Sequence, residues 1–129
     1  MIGIDTNVLV RYLAQDDPVQ SPKATAFFER LTARNPGYVN LVALAETAWV
    51  LDRYYELPRA ELAGALEALL QVDVIEVQKE RAVFQALQIF KEGCAFADAL
   101  IGALNHEAGC ARTMTFDRRA ARMAGFAQI

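Results

Sequence analysis

Short apolar segments alternate with longer helical patterns, and this alternation restricts the possible folds more than any other feature of the sequence. Strands are predicted near residues 1–5, 38–40, 72–77 and 111–116, and amphipathic helices occupy the intervals. These intervals are too long for hairpins, so neighbouring strands should run parallel and be joined by helical crossovers. The pattern predicts an α/β fold, a three-layer α/β/α sandwich around a short, mainly parallel sheet.

Size and composition favour one globular domain that spans residues 1–129. Of the 129 residues, 54% are hydrophobic and 22% are charged, enough to bury a core without a disulfide or a structural metal. No apolar run approaches the roughly 20 residues of a membrane span. Asp5 also lies where a signal peptide would carry Lys or Arg. We therefore expect a cytoplasmic protein with no membrane association.

Three acidic residues stand alone in apolar stretches. Asp5 is the only charged residue among the first ten, and it follows the first predicted strand, at the edge where parallel sheets bind ligands. Glu46 and Asp98 are the only charged residues in residues 41–51 and 93–104. Because carboxylates are seldom buried without a partner, these positions require an explanation.

Each of these carboxylates has a structural explanation as well as a functional one. Asp5 would cap the first helix, Asp98 would face the positive end of a helix dipole, and Glu46 would pair with a distant arginine. Asp117, at the end of the fourth predicted strand, is a fourth candidate that would also serve as a helix cap. A shared divalent cation would satisfy all four at once, and we favour this interpretation.

The ligand types indicate which cation would bind. Cys94, Cys110 and His106 form no cluster with zinc-ligand spacing. Oxygen ligands alone select Mg²⁺ or Mn²⁺. One or two such ions suit phosphoryl chemistry, because they neutralise phosphate oxygens and lower the pKa of a bound water.

Four short motifs, in order along almost the whole chain, resemble those of the PIN-domain ribonucleases, and among these the VapC-type toxins of toxin–antitoxin pairs. They are residues 4–13 (IDTNVLVRYL), 44–46 (LAE), 96–101 (FADALI) and 115–117 (TFD). The resemblance implies a parallel α/β/α fold and Mg²⁺- or Mn²⁺-dependent endonucleolytic cleavage of RNA. It also implies a homodimer and a cognate VapB-type antitoxin as partner.

The resemblance also implies a role for each acidic residue. Asp5 and Asp98 would be the central metal ligands, and Glu46 would be a ligand or would orient the attacking water. Asp117 would act through water or help to place a second ion. Three polar residues match positions around the family's site and would hold the carboxylates by hydrogen bonds: Thr6, Asn7 and Thr115.

Positive charge is concentrated near the C-terminal end, where residues 109–129 carry four arginines against Asp117 alone. On a helix predicted to begin at Asp117, three of these arginines would form a basic patch for RNA phosphates. The candidate RNA-binding residues are Arg118, Arg119, Arg122 and, after the first motif, Arg11. A solvated helix face is the alternative explanation of the same charges.

Aromatic and apolar residues carry less information. Four aromatic residues are expected in the core, so the sequence predicts no surface for base stacking: Tyr12, Trp49, Phe116 and Phe126. The second and third helices contain more apolar residues than a small sheet requires. Part of this apolar surface is expected to bind an amphipathic antitoxin helix or a second copy of the chain.

Three other functions remain as alternatives. A phosphatase of the haloacid-dehalogenase type would need a second aspartate at position 7, which is Asn7. A receiver domain would need a phosphorylatable aspartate after the third strand, where residues 77–79 read VQK. A non-catalytic RNA- or protein-binding module with the same fold would leave the four acidic residues with structural roles only.

Overall fold

The computed structural model describes residues 1–129 and contains six α-helices, one 3-10 helix and five short β-strands. In chain order the elements are β1 (Ile2–Gly3), α1 (Thr6–Ala14), α2 (Gln20–Glu29), β2 (Gly37–Val39), α3 (Leu41–Arg53), α4 (Arg59–Leu70), β3 (Ile75–Val77), α5 (Glu80–Glu92), α6 (Phe96–Glu107), β4 (Thr113–Thr115), the 3-10 helix (Ala120–Arg122) and β5 (Phe126–Gln128). They form two compact units, Met1–Gln78 and Lys79–Ile129, called the first and second units below. None of the helices is long and apolar enough to cross a membrane.

The first unit is built on a parallel sheet with the strand order β1-β2-β3. Helix α1 packs against α2 and α3, and α3 packs against α4. The core is apolar, and its most deeply buried side chains include Leu9, Val39, Leu44, Leu51, Leu62 and Leu66. Because β1 and β2 are parallel neighbours, α1 and α3 both begin at the same edge of this sheet.

The central strand requires glycine at its first residue. A Cβ atom on Gly37 would lie 2.6 Å from the side chain of Ile4, 2.8 Å from that of Ile75 and 2.9 Å from that of Leu31. The three apolar side chains therefore close over this point only because Gly37 has none. After the strand, Asn40 Oδ1 accepts a 2.9 Å hydrogen bond from the amide of the third residue of α3, which starts the helix.

The second unit pairs α5 with α6 and adds the two-stranded parallel sheet of β4 and β5. Its buried side chains are also apolar and include Val83, Leu87, Phe90, Phe96 and Leu100. Gly102 of α6 lies against the ring of Phe126, where a Cβ atom would overlap the ring. Small residues on α6 thus let the last strand approach the helix closely.

The predicted α/β class with parallel strands is confirmed, and its strands are divided between two short sheets. The prediction of a helix that begins at Asp117 is wrong. The helical residues of this segment are Ala120–Arg122, which form a single 3-10 turn. This segment has to lead the chain back to a strand parallel to β4. Met123 is already extended and Gly125 adopts a φ of 83°, which leaves no length for an α-helix.

Two of the four aromatic residues predicted in the core are on the surface. Trp49 is 52% exposed and Phe116 is 77% exposed. Tyr12 and Phe126 are half-buried, and the ring of Tyr12 stacks on Phe28 with 3.8 Å between centroids. Aromatic character predicts a tendency to be buried, but the packing of the elements decides which faces are covered.

Candidate functional site

Asp5 follows β1 and is the N-cap residue of α1. Its backbone is extended, and its main-chain oxygen accepts hydrogen bonds from the amides of Val8 and Leu9. The side chain makes no capping hydrogen bond and is exposed. The structural explanation for Asp5, a side-chain helix cap, therefore does not hold, and the carboxylate is free to bind a ligand.

Glu46 is held by Thr6, the residue that follows Asp5. The buried hydroxyl of Thr6 donates a hydrogen bond to Glu46 Oε1. Glu46 is otherwise exposed, and no lysine or arginine forms an ion pair with it. The predicted alternative, a pair with a distant arginine, is thus absent. Within the first unit, Thr6 holds the Glu46 carboxylate at the end of α1 where Asp5 lies.

The topology of the first unit accounts for this contact. Helices α1 and α3 start at the carboxyl ends of two adjacent parallel strands and pack against each other. Thr6 is the first residue of α1. Glu46 lies in the second turn of α3, on a face that is not buried. The carboxyl edge of a parallel sheet is where α/β proteins place ligands, as predicted for Asp5.

The second unit contains the other two candidates, Asp98 and Asp117. Asp98 is in the first turn of α6, is half-buried, and forms no hydrogen bond or ion pair. Asp117 follows β4, and its Oδ1 accepts hydrogen bonds from the amides of Arg119 (2.8 Å) and Ala120 (2.9 Å). The capping role considered for Asp117 is therefore real, although it occupies only one carboxylate oxygen.

Asp98 and Asp117 interact through their charges. Burial raises the pKa of the Asp98 carboxyl above its ordinary value of 3.8, and the negative charge of Asp117 raises this pKa further. A carboxylate in the first turn of a helix is normally favoured by the helix dipole. The pKa of Asp98 is nevertheless raised, and no lysine or arginine forms an ion pair with its carboxylate.

Of the three residues predicted to hold the carboxylates, only Thr6 donates a hydrogen bond to a carboxylate group. Thr6 holds Glu46, and Thr115 Oγ1 accepts a 3.0 Å hydrogen bond from the amide of Asp117. Asn7 is exposed at the start of α1 and lines the same cleft as Asp5.

The candidate RNA-binding arginines differ in how they are engaged. Arg11 Nε donates to Gln20 Oε1 (2.7 Å), and its Nη1 donates to the hydroxyl of Tyr55 (3.1 Å). Asp16 and Asp17 lie 3.7 Å and 3.9 Å from the same guanidinium. In the second unit, by contrast, the exposed arginines form no ion pair: Arg118, Arg119 and Arg122. Arg11 thus connects parts of the first unit, whereas the other three present unpaired positive charge.

Comparison with models of protein families identifies the family of this chain. The model of the PIN domain matches residues 2–126, which include all four candidate acidic residues. The chain belongs to the PIN domain family. PIN domains are in general metal-dependent nucleases with an α/β/α fold, and they typically use divalent ions. A search of the curated proteins found no match to this chain.

The acidic residues of this PIN domain fit a hard divalent cation by their chemistry. All four are carboxylates, and two of them, Asp98 and Asp117, repel each other in the second unit. Neither unit by itself contains three or more His, Cys, Asp or Glu side chains grouped to hold a metal ion. Mg²⁺ and Mn²⁺ take few protein carboxylates and keep several waters, so sparse oxygen ligands suit them.

Sequence reasoning missed one feature of the PIN domain, a cleft of about 460 Å³ beside Asp5. Its walls include apolar side chains, among them Val8 and Phe27, and the polar side chains of Gln20 and Lys23. These last two belong to α2, which reaches the cleft because it packs against α1. The only indication of this cleft in the sequence was Lys23, which is the only basic residue within α2.

Proposed function

We propose that this chain is a metal-dependent endoribonuclease, the toxin of a VapBC-type toxin–antitoxin pair, acting in the cytoplasm as a single PIN-like domain. One observation carries the proposal: the acidic residues of the four motifs have no basic partner in the structure. Asp5 and Asp98 form no hydrogen bond through their side chains, Glu46 accepts one from a neutral hydroxyl, and Asp117 accepts two from backbone amides. Asp98 is half-buried and so requires a counter-charge, and the exposed Asp5, Glu46 and Asp117 leave their carboxylates accessible to a cation.

We assign Asp5, Glu46, Asp98 and Asp117 as the residues that hold one or two Mg²⁺ or Mn²⁺ ions. When bound, such an ion neutralises phosphate oxygens and lowers the pKa of a coordinated water. Asp5 and Asp98 are the central ligands in this proposal. Glu46 either binds the ion or orients the attacking water, and Asp117 contributes through water.

The surrounding residues orient these groups. Thr6 fixes the direction of the Glu46 carboxylate by donating to Oε1, so that Oε2 is available to an ion or a water. Two backbone amides fix Asp117 Oδ1 in the same way. Oriented ligands need not reorganise when substrate binds, which favours catalysis. The unpaired guanidinium groups of Arg118, Arg119 and Arg122 would hold RNA phosphates.

We propose that the outer face of α3, with Tyr54 directly after the helix, contacts protein partners, a VapB-type antitoxin or a second copy of the chain. Support comes from three exposed apolar or aromatic side chains: Val42 (77% exposed), Trp49 (52%) and Tyr54 (74%). The rings of Trp49 and Tyr54 meet edge to face, with 5.7 Å between centroids. Surfaces of this type are frequent at protein interfaces. Light scattering of the chain alone and with the antitoxin encoded beside it tests this part.

Cleavage assays on purified protein test the proposed function. Structured and single-stranded RNAs are incubated with wild type in EDTA, Mg²⁺ or Mn²⁺, in parallel with Asp5→Ala and Asp98→Asn. Asp73→Asn is the matched control, because Asp73 is exposed and lies outside the four motifs. We expect metal-dependent cleavage by wild type and by Asp73→Asn, and none by the other two variants.

Three results would contradict all or part of the proposal. Equal activity in all four proteins would indicate a contaminating nuclease. An inactive wild type whose melting temperature does not respond to Mn²⁺ would favour a non-catalytic binding module. If Mn²⁺ stabilised wild type but no RNA were cleaved, the metal site would remain and the substrate would be a different phosphodiester or phosphate ester.

A further inference from the structure

Phe116 exposes a large aromatic side chain to solvent directly beside a candidate catalytic acid. It is 77% exposed, as much as any large hydrophobic side chain of the protein, and it precedes Asp117 in the sequence. Its ring makes no contact with another aromatic ring. Single exposed apolar residues are common on protein surfaces, so exposure alone indicates nothing. The hydrogen bonds and the charges near Phe116 indicate its role.

The segment that carries Phe116 is held by a dense set of hydrogen bonds. The amide of Asp117 donates to Thr115 Oγ1 (3.0 Å), and Asp117 Oδ1 accepts from the amides of Arg119 and Ala120. The amide of Ala121 donates to the main-chain oxygen of Asp117 (3.0 Å). The Phe116 ring is therefore presented by an ordered turn, which lowers the entropy lost when a ligand contacts it.

Two arginines follow Asp117 directly in the same segment. Arg118 and Arg119 are exposed and form no ion pair, and Asp117 is the only acidic residue after position 107. An exposed aromatic ring with unpaired arginines nearby is the combination that binds single-stranded nucleic acid. Bases stack on the ring, and the backbone phosphates contact the cations.

We propose that Phe116 stacks on an unpaired base of the RNA substrate while Arg118 and Arg119 contact the neighbouring phosphates. This inference rests on the proposed ribonuclease function and deepens it, because it assigns Phe116 as a residue that contacts a base of the substrate. A base inside an A-form duplex is stacked on its neighbours and cannot meet the ring without being extruded. Duplex RNA should therefore be a poor substrate.

Fluorescence of 2-aminopurine measures the stacking directly. Single-stranded RNA oligonucleotides that carry this base at one scanned position are titrated with wild-type protein in EDTA, so that no cleavage occurs. We expect quenching at one or two positions, and a fully paired duplex of the same sequence should bind more weakly. Phe116→Ala should weaken binding by about 5- to 150-fold and abolish the quenching.

Variants separate stacking from general apolar contact. Phe116→Trp should retain affinity and quenching, whereas Phe116→Leu should behave like Phe116→Ala, since leucine is apolar but has no ring. Phe84→Ala is the matched control, because Phe84 is an aromatic residue of the second unit that is 42% exposed and lies on α5. It should bind RNA like wild type.

Three results would separate a failure of the stacking inference from a failure of the proposed ribonuclease function. If wild type cleaves RNA with metal, but Phe116→Leu binds and cleaves like wild type, the stacking inference is overturned and the ribonuclease function stands. If wild type neither binds nor cleaves RNA, both are overturned. If Phe116→Leu changes the oligomeric state in light scattering and leaves RNA affinity unchanged, Phe116 belongs to a protein interface and the inference is again overturned.

Discussion

The hydroxyl of Thr6 donates a hydrogen bond to Glu46 Oε1 and so links the first residue of α1 to the second turn of α3. Forty positions separate the two residues in the sequence. Thr6 lies three residues after β1 and Glu46 lies seven residues after β2, and the two strands are parallel neighbours. The contact therefore arises from the sheet topology and holds one candidate catalytic carboxylate in a defined direction.

Thr6→Val tests this contact. Valine has almost the same shape as threonine, so the buried position should still pack, but Glu46 loses its only hydrogen-bond donor. We expect a loss of about 10- to 100-fold in Mn²⁺ affinity or in kcat for RNA cleavage, with an unchanged circular dichroism spectrum. The matched control is Thr47→Val, a fully buried threonine of α3 whose hydroxyl donates only to the main-chain oxygen of Ala43. Equal losses in both variants would contradict a specific role for Thr6.

Asp98→Asn should make the metal-free fold more stable at neutral pH. The pKa of Asp98 is raised in the folded protein by burial and by Asp117, so its charged form is less favourable in the folded than in the unfolded chain. This penalty is absent well below pH 3.8, grows as the pH rises, and is complete above the raised pKa. Urea unfolding in EDTA across this pH range measures the effect. The free energy of unfolding of the variant, relative to that of wild type, should increase as the pH rises.

The same variant should respond less to Mn²⁺. Wild type should be stabilised by the ion, because binding to the folded state alone raises the free energy of unfolding. Asp98→Asn should gain little, since one proposed ligand has lost its charge. A variant less stable than wild type in EDTA at pH 7, or one equally stabilised by Mn²⁺, would show that Asp98 has a structural role.

Asp17 should stabilise the start of α2 most strongly at neutral pH. Its Oδ1 accepts hydrogen bonds from the amides of Gln20 (2.7 Å) and Val19 (2.9 Å), which lower the pKa of Asp17 below 3.8; the positive charge of Arg11 lowers it further. The stabilisation is present above pH 3.8 and is lost as the pH falls through the lowered pKa. Asp17→Ala should therefore lower the melting temperature at pH 7 and have progressively less effect as the pH falls below 3.8. A difference that is independent of pH would contradict this assignment.

Gly37→Ala should destabilise the first unit by overpacking. The new methyl group would lie within 2.6 to 2.9 Å of the side chains of Ile4, Ile75 and Leu31, at a cost of about 1 to 3 kcal/mol in the free energy of unfolding. The control is Gly64→Ala, where no atom lies within 4 Å of the added carbon. In the interior of α4, that change should stabilise the protein by about 0.5 to 1 kcal/mol. Chemical denaturation should show that the free energy of unfolding falls in Gly37→Ala and rises in Gly64→Ala.

Arg118→Ala and Arg11→Ala should have different effects. Arg118 forms no ion pair, so its removal should weaken RNA binding at low salt and reduce the slope of log affinity against log salt by about 0.7. The melting temperature should not change. Arg11 donates to Gln20 and Tyr55, and its removal should lower the melting temperature. RNA affinity that is unchanged by Arg118→Ala at every salt concentration would exclude Arg118 from the interface.

The α/β class, the parallel strands and the order of the elements were predictable from the sequence, because hydrophobic periodicity and strand spacing are local properties. The four acidic positions could be selected as candidates as well, since an isolated carboxylate in an apolar run, such as Asp5 or Asp98, is visible without any structure. The family match over residues 2–126 includes the same positions. In these respects the sequence by itself determined the class of the protein.

Only the tertiary structure decided what each side chain contacts. Nothing near Glu46 in the sequence indicates Thr6 as its partner, and nothing near Arg11 indicates the hydroxyl of Tyr55. Phe116 was predicted to be a core residue at the end of the fourth strand, but it is exposed, because β4 ends at Thr115 and a hydrogen-bonded turn follows. Such contacts depend on which elements pack together and at what angle, and the free energy that selects this arrangement is distributed over the whole core rather than over a few adjacent residues.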